Sequence, residues 1–250
     1  MPSHRALRFA IAAYGLFLLS LSVLVLFLHD LWLPWTAGTG ELSGGWGQTL
    51  AINTGLIALF GLQHSIMARP AFKRRWTRLV PEYLERSAYV AASSLALIVL
   101  MGFWQPMPGV IWHISWQPAV TTCLVLLGIG LVLALWSTFL TDHFDLFGLR
   151  QAYLHDQGLP YTAVPFKMGL LYRYVRHPMM LGMLLLFWVT PYLTVGHLFL
   201  ASGLTLYILI GVHYEERDLM RHLGPDYVRY RATTPMLFPR FVHAPPMPGH

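Results

Sequence analysis

The run PAVTTCLVLLGIGLVLALWSTFL, from Pro118 to Leu140, contains no charged residue. An α-helix needs about 20 consecutive apolar residues to cross the roughly 30 Å hydrocarbon layer of a bilayer, and this run is long enough. Five further apolar runs lie on either side: Leu7 to Leu28, Trp46 to Met67, Ser87 to Trp104, Pro178 to about Leu193, and about His197 to Val212. The last two are short and nearly contiguous, with Pro191 near the end of the first, and are expected to form one helical hairpin. Their length leaves the count at five to six full spans. The predicted fold class is an all-α integral membrane protein.

Composition agrees with this reading. The chain of 250 residues is 56% hydrophobic and 11% charged, against about 25% charged in an ordinary soluble domain. Arg5 precedes the first run and Arg8 stands at its start, as they would in a signal peptide. That run is longer than a signal h-region, however, and no small-residue cleavage site follows it. Six spans would place the N-terminus, the 69–86 loop, the 141–177 loop and the tail on one side. All 17 Lys and Arg residues fall in those segments, whereas the opposite loops carry only Asp30 and Glu41. The positive-inside rule then predicts cytoplasmic N- and C-termini in a bacterial inner membrane. Anionic lipid rather than nucleic acid accounts for the basic excess. Cys123 lies within an apolar run and reads as a packing residue. Gly128 and Gly130 in the same run read as sites of close helix approach.

No linker divides the chain, so residues 1–250 are read as one membrane domain ending in an irregular tail, 239–250. Two polar clusters interrupt the apolar texture. The first is Tyr172-Arg173-Tyr174-Val175-Arg176-His177-Pro178, and the second is His213-Tyr214-Glu215-Glu216-Arg217. Ionisable groups at a membrane edge are costly unless used. Pro178 suits a first helical turn, whose open N–H groups and positive dipole end favour an anion. Arg176 adds a bidentate partner for a carboxylate or phosphate. A basic membrane anchor explains the same residues equally well. Glu215 and Glu216 either close the hairpin as an ion pair or meet a ligand. No HExxH, CxxC, Walker or GxSxG motif competes, and no metal is expected.

The loop after the fourth run reads Thr141-Asp142-His143-Phe144-Asp145-Leu146-Phe147-Gly148-Leu149-Arg150-Gln151. A carboxylate–imidazole set is able to accept and hold a proton. Asp142, His143 and Asp145 are therefore candidate bases, the alternative being helix capping at the interface. His64 and Ser65, at the end of the second run, either line the same pocket or bond between helices.

Arg176-His177-Pro178 opening a span, followed by Glu215-Glu216 and then Gly224-Pro225-Asp226-Tyr227-Val228-Arg229-Tyr230, resembles the isoprenylcysteine carboxyl methyltransferase superfamily over residues 164–238. That resemblance implies an integral membrane enzyme using S-adenosylmethionine (SAM). It also implies cofactor contacts at Tyr172, Arg176, His177, Pro178 and Glu215, with Glu216 as the neighbouring choice, and an adenosine contact near Val164-Pro165-Phe166-Lys167. The superfamily's substrate-binding Arg would fall at Gly211, so a prenylcysteine carboxylate has no clamp here. The stretches Gln63–Lys73 and Ser137–Gln151 are similar to the bacterial methanethiol S-methyltransferases and extend the likeness over nearly the whole chain. This implies methyl transfer to a small thiol, methanethiol, giving dimethyl sulfide. His143, Asp145, Asp142 and His64 are then the catalytic candidates, in that order. The related NnrU group implies the rival reading of an accessory protein of denitrification, and methylation of a larger thiol or lipid is a third. Oligomeric state is not legible.

Overall fold

A computed structural model describes residues 4–42, 44–162 and 170–239. Five helices are long and apolar enough to cross a membrane: α1 (Arg5–Leu28), α2 (Trp46–Met67), α4 (Glu82–Gly102), α5 (Gln117–Leu140) and α9 (Val195–Leu223). Between and after them lie the short helices α3 (Pro70–Trp76), α6 (His143–Leu146), α7 (Leu149–Asp156), α8 (Pro178–Trp188) and α10 (Pro225–Thr233). The adenosine-contact candidate Val164–Lys167 and tail residues 240–250 lie outside the described residues.

α1 packs on α4, α2 on α4 and α9, and α5 on α8. Their shared core includes Phe27, Leu100, Met101, Leu186, Leu200 and Leu204, all essentially buried. The outer face of α5 leaves Leu124, Val125, Val132 and Phe139 more than half exposed. Such a face suits lipid rather than water.

The fifth apolar run does not form a full span. α8 has 11 residues, about 16 Å at 1.5 Å per residue, roughly half the bilayer core. Pro191 lacks an N–H and disfavours helical backbone at the residue before it. The chain therefore leaves the helix at Val189 in extended form. It then makes β2 (Tyr192–Thr194), which pairs antiparallel with β1 (Val110–His113) in the register Val110 to Thr194 and His113 to Tyr192. This two-stranded ribbon is the departure from an all-α fold. An interrupted helix at membrane depth needs partners for its last carbonyls. His29 Nε2 donates to Leu186 O at 3.1 Å and His197 Nε2 to Phe187 O at 2.7 Å.

The sixth run is longer than its apolar letters suggest. α9 continues for 29 residues, through Glu215 and Glu216, about 43 Å in all. Its polar extension stands beyond the hydrophobic stretch and meets the start of α8. α8 is held against α5 by absent side chains. A Cβ on Gly182 would lie 2.5 Å from Ala134 N, and one on Gly130 would lie 2.7 Å from Leu185 Cβ. Gly128, by contrast, faces open space, so only the second glycine of that pair serves helix approach.

Candidate cofactor and active site

Neighbouring residues on a helix point about 100° apart, so Glu215 and Glu216 meet different surroundings at the start of α8. Glu216 is the enclosed one. Arg176 Nε lies 2.7 Å and His177 Nε2 3.1 Å from Glu216 Oε1, and Arg231 Nε lies 3.0 Å from Oε2. The Arg176 and Glu216 side chains are 9% and 6% exposed. Arg176 Nη1 also donates to the carbonyls of Arg231, at 2.9 Å, and Thr234. The backbone joins in: Arg176 N donates to Pro235 O and His177 N to Met236 O. The start of α8, the end of α9 and the segment after α10 are thereby tied together.

Glu215 is left for something else. Its side chain is 53% exposed, and His177 Nδ1 lies 3.8 Å from its Oε2. It lines a cavity of about 110 Å³ with Tyr172, Arg176, His177, Pro178, Tyr227 and Tyr230 among its walls. Met179 and Met180, in the first turn of α8, border the same space, and no side chain caps that turn. First-turn amides point out of a helix without intrahelical partners. Tyr230 Oη donates to Tyr172 O at 2.6 Å, locking the backbone beneath the cavity. Burial first, and then the Glu215 charge, push the Tyr172 phenol up to about 12. Burial likewise raises Tyr227 to about 12. Both are neutral hydroxyls at physiological pH. The cavity therefore offers a carboxylate, neutral phenols and helix-terminal amides within one small volume.

A larger cavity of about 590 Å³ lies between α4, α6 and α7, and Thr141 lines both. Asp145 is on its wall. Arg150 Nη1 holds Asp145 Oδ1 at 3.1 Å, and Tyr161 Oη donates to Oδ2 at 3.2 Å.

The four catalytic candidates are not gathered into one constellation. Asp142 sits at φ 81° and caps α6, its side chain accepting from Asp145 N at 3.1 Å. An Asp in the left-handed region is uncommon, so the loop does take the capping form. His143 is 3% exposed and lines neither cavity. Thr138 Oγ1 donates to Leu135 O at 2.6 Å and so accepts from His143 Nδ1 at 2.7 Å. His143 Nε2 then accepts from Tyr14 Oη at 2.7 Å. Phe139 stacks on the ring at 4.0 Å. Burial lowers the His143 pKa, with Asp142 opposing weakly. His64 meets Ser93 Oγ at 3.1 Å and the rings of Tyr89 and Tyr207, an interhelical position.

Arg231, Tyr14 and Thr138 carry no local signal of their roles, because each acts across more than one element. Tyr227 and Tyr230, three residues apart on α10, share a helix face, and that spacing was the available cue. Among the described residues no three His, Cys, Asp or Glu side chains gather to hold a metal ion.

No family model and no solved structure matches the chain. It is 44% identical over 240 residues to the methanethiol S-methyltransferase of Mycobacterium tuberculosis, covering 96% of this chain and 98% of that one. It is 42% identical over 233 residues to the methanethiol S-methyltransferase of Crocosphaera subtropica, covering 93% and 91%. Human Nurim is more distant, 36% identical over 178 residues and 68% of each chain. Likeness of this degree over nearly the full length of the two bacterial proteins places the chain in the methanethiol S-methyltransferase family.

Proposed function

We propose that this protein transfers a methyl group from SAM to methanethiol, giving dimethyl sulfide. Family membership over nearly the whole chain carries this reading, and the chemistry around Glu215 supports it. SAM, when bound, supplies a methyl group already activated by a positively charged sulfur. A donor of that kind has a carboxylate, an ammonium and ribose hydroxyls to satisfy. The first-turn amides of α8 suit the carboxylate. Glu215 suits the ammonium or the hydroxyls, and the Tyr172 phenol adds a neutral donor. Arg176, His177 and Glu216 hold the α8 terminus in place, and Pro178 begins it.

The residues' remaining tasks are alignment and exclusion of water. Fixing two reactants in near-attack geometry is worth up to roughly 7–11 kcal/mol in favourable cases. Thiolate rather than thiol is the nucleophile, so the S–H proton must leave. Of Asp142, His143, Asp145 and His64, Asp145 is the one that lines either of the two cavities described above, and we assign it the proton acceptor. Asp142 and His143 shape its turn. A Cβ added at Gly211 would meet no atom within 4 Å, and the glycine offers no charge, which suits a substrate with no carboxylate to clamp. The Lys and Arg distribution supports cytoplasmic termini in a bacterial inner membrane, with this site on the cytoplasmic side.

Headspace measurement on the purified full-length protein with SAM and methanethiol tests the function. Dimethyl sulfide should accumulate in proportion to protein. None above a protein-free control defeats the assignment.

A further inference from the structure

Between α2 and α4 the chain reads Arg69-Pro70-Ala71-Phe72-Lys73-Arg74-Arg75-Trp76-Thr77-Arg78-Leu79-Val80-Pro81, with five basic residues and no acidic one. The short helix α3 sorts these residues. Phe72 and Trp76, four apart and so on one side, stack at 5.8 Å and pack against the buried Met67, Tyr89 and Phe147. Two of the basic residues are tied to neighbouring helices. Arg69 Nη1 lies 3.1 Å from Asp218 Oδ2, and Lys73 Nζ lies 3.5 Å from Glu85 Oε2.

The other three, Arg74, Arg75 and Arg78, are exposed. Among the described residues none of them meets a carboxylate. Arg78 N donates to Arg75 O at 3.2 Å and continues the turn. Like charges three and four apart on such a turn repel one another. An anchored helix thus holds three guanidiniums together, and a counter-charge has to come from outside the chain.

The surroundings name its source. Of α2 only Thr49, Asn53 and Met67 are buried, so most of that span faces lipid. Leu62 and Ile66, in its last turns, are 60% and 50% exposed. α3 begins four residues after Ile66. An apolar surface therefore ends where the unpaired arginines begin, the order in which a phospholipid presents its acyl chain and its phosphate. Leu79, beside Arg78, is 80% exposed. A free anion would leave that leucine in water, whereas the headgroup boundary of a bilayer covers it.

We propose that Arg74, Arg75 and Arg78 bind the phosphate of an anionic phospholipid at the edge of the bundle. Guanidinium pairs with phosphate through two parallel hydrogen bonds. A zwitterionic lipid offers the same phosphate with its charge already balanced. This surface lies outside the site around Glu215 and is independent of the proposed methyl transfer.

The test titrates palmitoyl-oleoyl phosphatidylglycerol, or the matching phosphatidylcholine, into the full chain in neutral detergent and follows the thermal midpoint. A ligand of the folded state raises it. Phosphatidylglycerol should raise the midpoint and phosphatidylcholine should not. Each basic residue near an anionic lipid is worth about fivefold in affinity. Arg74→Gln with Arg75→Gln should then need roughly 25-fold more phosphatidylglycerol for the same rise, and the corresponding pair of Lys substitutions should keep most of the response. Arg221 and Arg229, 61% and 74% exposed, serve as the control. Changing both to Gln removes the same charge and should leave the response intact. The proposal is overturned by no selective rise in the unaltered protein, or by an unchanged response in the Arg74/Arg75 Gln variant. An equal loss in the control pair also overturns it, because the effect then belongs to net charge. A rise produced by inorganic phosphate alone overturns the lipid as the ligand.

Discussion

Arg176 Nε donates to Glu216 Oε1 at 2.7 Å, and no atom of Arg176 is paired with Glu215. That one contact commits Glu216 to the fold and leaves Glu215 for the ligand role proposed above. Glu216 is buried against Arg176, Arg231 and His177. Removing one partner from a buried pair leaves an uncompensated charge and costs about 3–5 kcal/mol. Glu216→Ala should therefore lower the thermal midpoint sharply. Glu215→Gln should leave the midpoint nearly unchanged while greatly weakening binding of S-adenosylhomocysteine. Thermal unfolding and titration calorimetry on the same preparations separate the two. Equal loss of stability in both variants would contradict the division.

The α5–α8 contact has no room for a side chain. A Cβ on Gly182 would sit 2.5 Å from Ala134 N and 2.6 Å from Gly130 O, both backbone atoms. Backbone does not rotate aside, so Gly182→Ala should cost on the order of 1–3 kcal/mol, as overpacked cores do. Because Pro178 and Met179 begin the same helix, the variant should also bind S-adenosylhomocysteine less tightly. Gly128→Ala, facing open space, is the control and should change neither property.

The long apolar runs were legible because a span is a local property: length and absence of charge suffice. Trp46 and Met67 bound the second run in the letters and in the folded chain alike. The fifth run was legible as short, with Pro191 near its end, but the stop of α8 at Trp188 and the turn into β2 were not. An ending helix is tolerated at that depth because His29 and His197, from α1's end and α9, donate to two of its last carbonyls. No local pattern reveals such partners. The Arg176-His177-Pro178 and Glu215-Glu216 clusters were legible as unusual charge, but which glutamate turns inward depends on helix phase. His143 read as a base because it lies between two aspartates in sequence. Its buried surroundings, Tyr14, Thr138 and Phe139, come from α1 and the end of α5, and tertiary packing decides its environment.

His143 also gives a pH dependence. Burial holds its pKa below 6.5 in the folded chain, whereas an unfolded histidine titrates near 6.5. The folded state therefore binds fewer protons than the unfolded state below about pH 6.5, and stability falls as pH falls. The contribution is fully present above that pH and is lost progressively towards the lower folded value. His143→Gln removes the titration. The midpoint difference between pH 7.5 and pH 5 should be smaller in that variant than in the unaltered protein. An identical difference in the two proteins would show that folding does not shift the His143 pKa.

Asp145 carries the proposed proton-acceptor role. Asp145→Asn keeps the size of the side chain and an acceptor for Tyr161 and Arg150, but removes the basic charge. Turnover at neutral pH should fall by roughly 10²–10⁴-fold, the usual contribution of general base catalysis. Raising the pH should restore much of it, because the thiol then ionises in solution. The observation to make is the pH–rate profile with methanethiol. A uniform fall at every pH would assign Asp145 to positioning instead.

Gly211 stands one helical turn before Glu215 on α9, and a Cβ there meets no atom within 4 Å. Space alone therefore does not forbid a larger residue. Residues four apart on a helix are neighbours, so the guanidinium introduced by Gly211→Arg would reach Glu215. It would take the carboxylate that no arginine now holds. The variant should fold with a midpoint close to that of the unaltered protein, yet bind S-adenosylhomocysteine about tenfold less tightly, the scale of a charge-assisted hydrogen bond. Methanethiol turnover at saturating SAM should fall less than it does at low SAM, because the lost interaction belongs to donor binding. A fall that SAM does not relieve would instead place Gly211 on the thiol's side of the site.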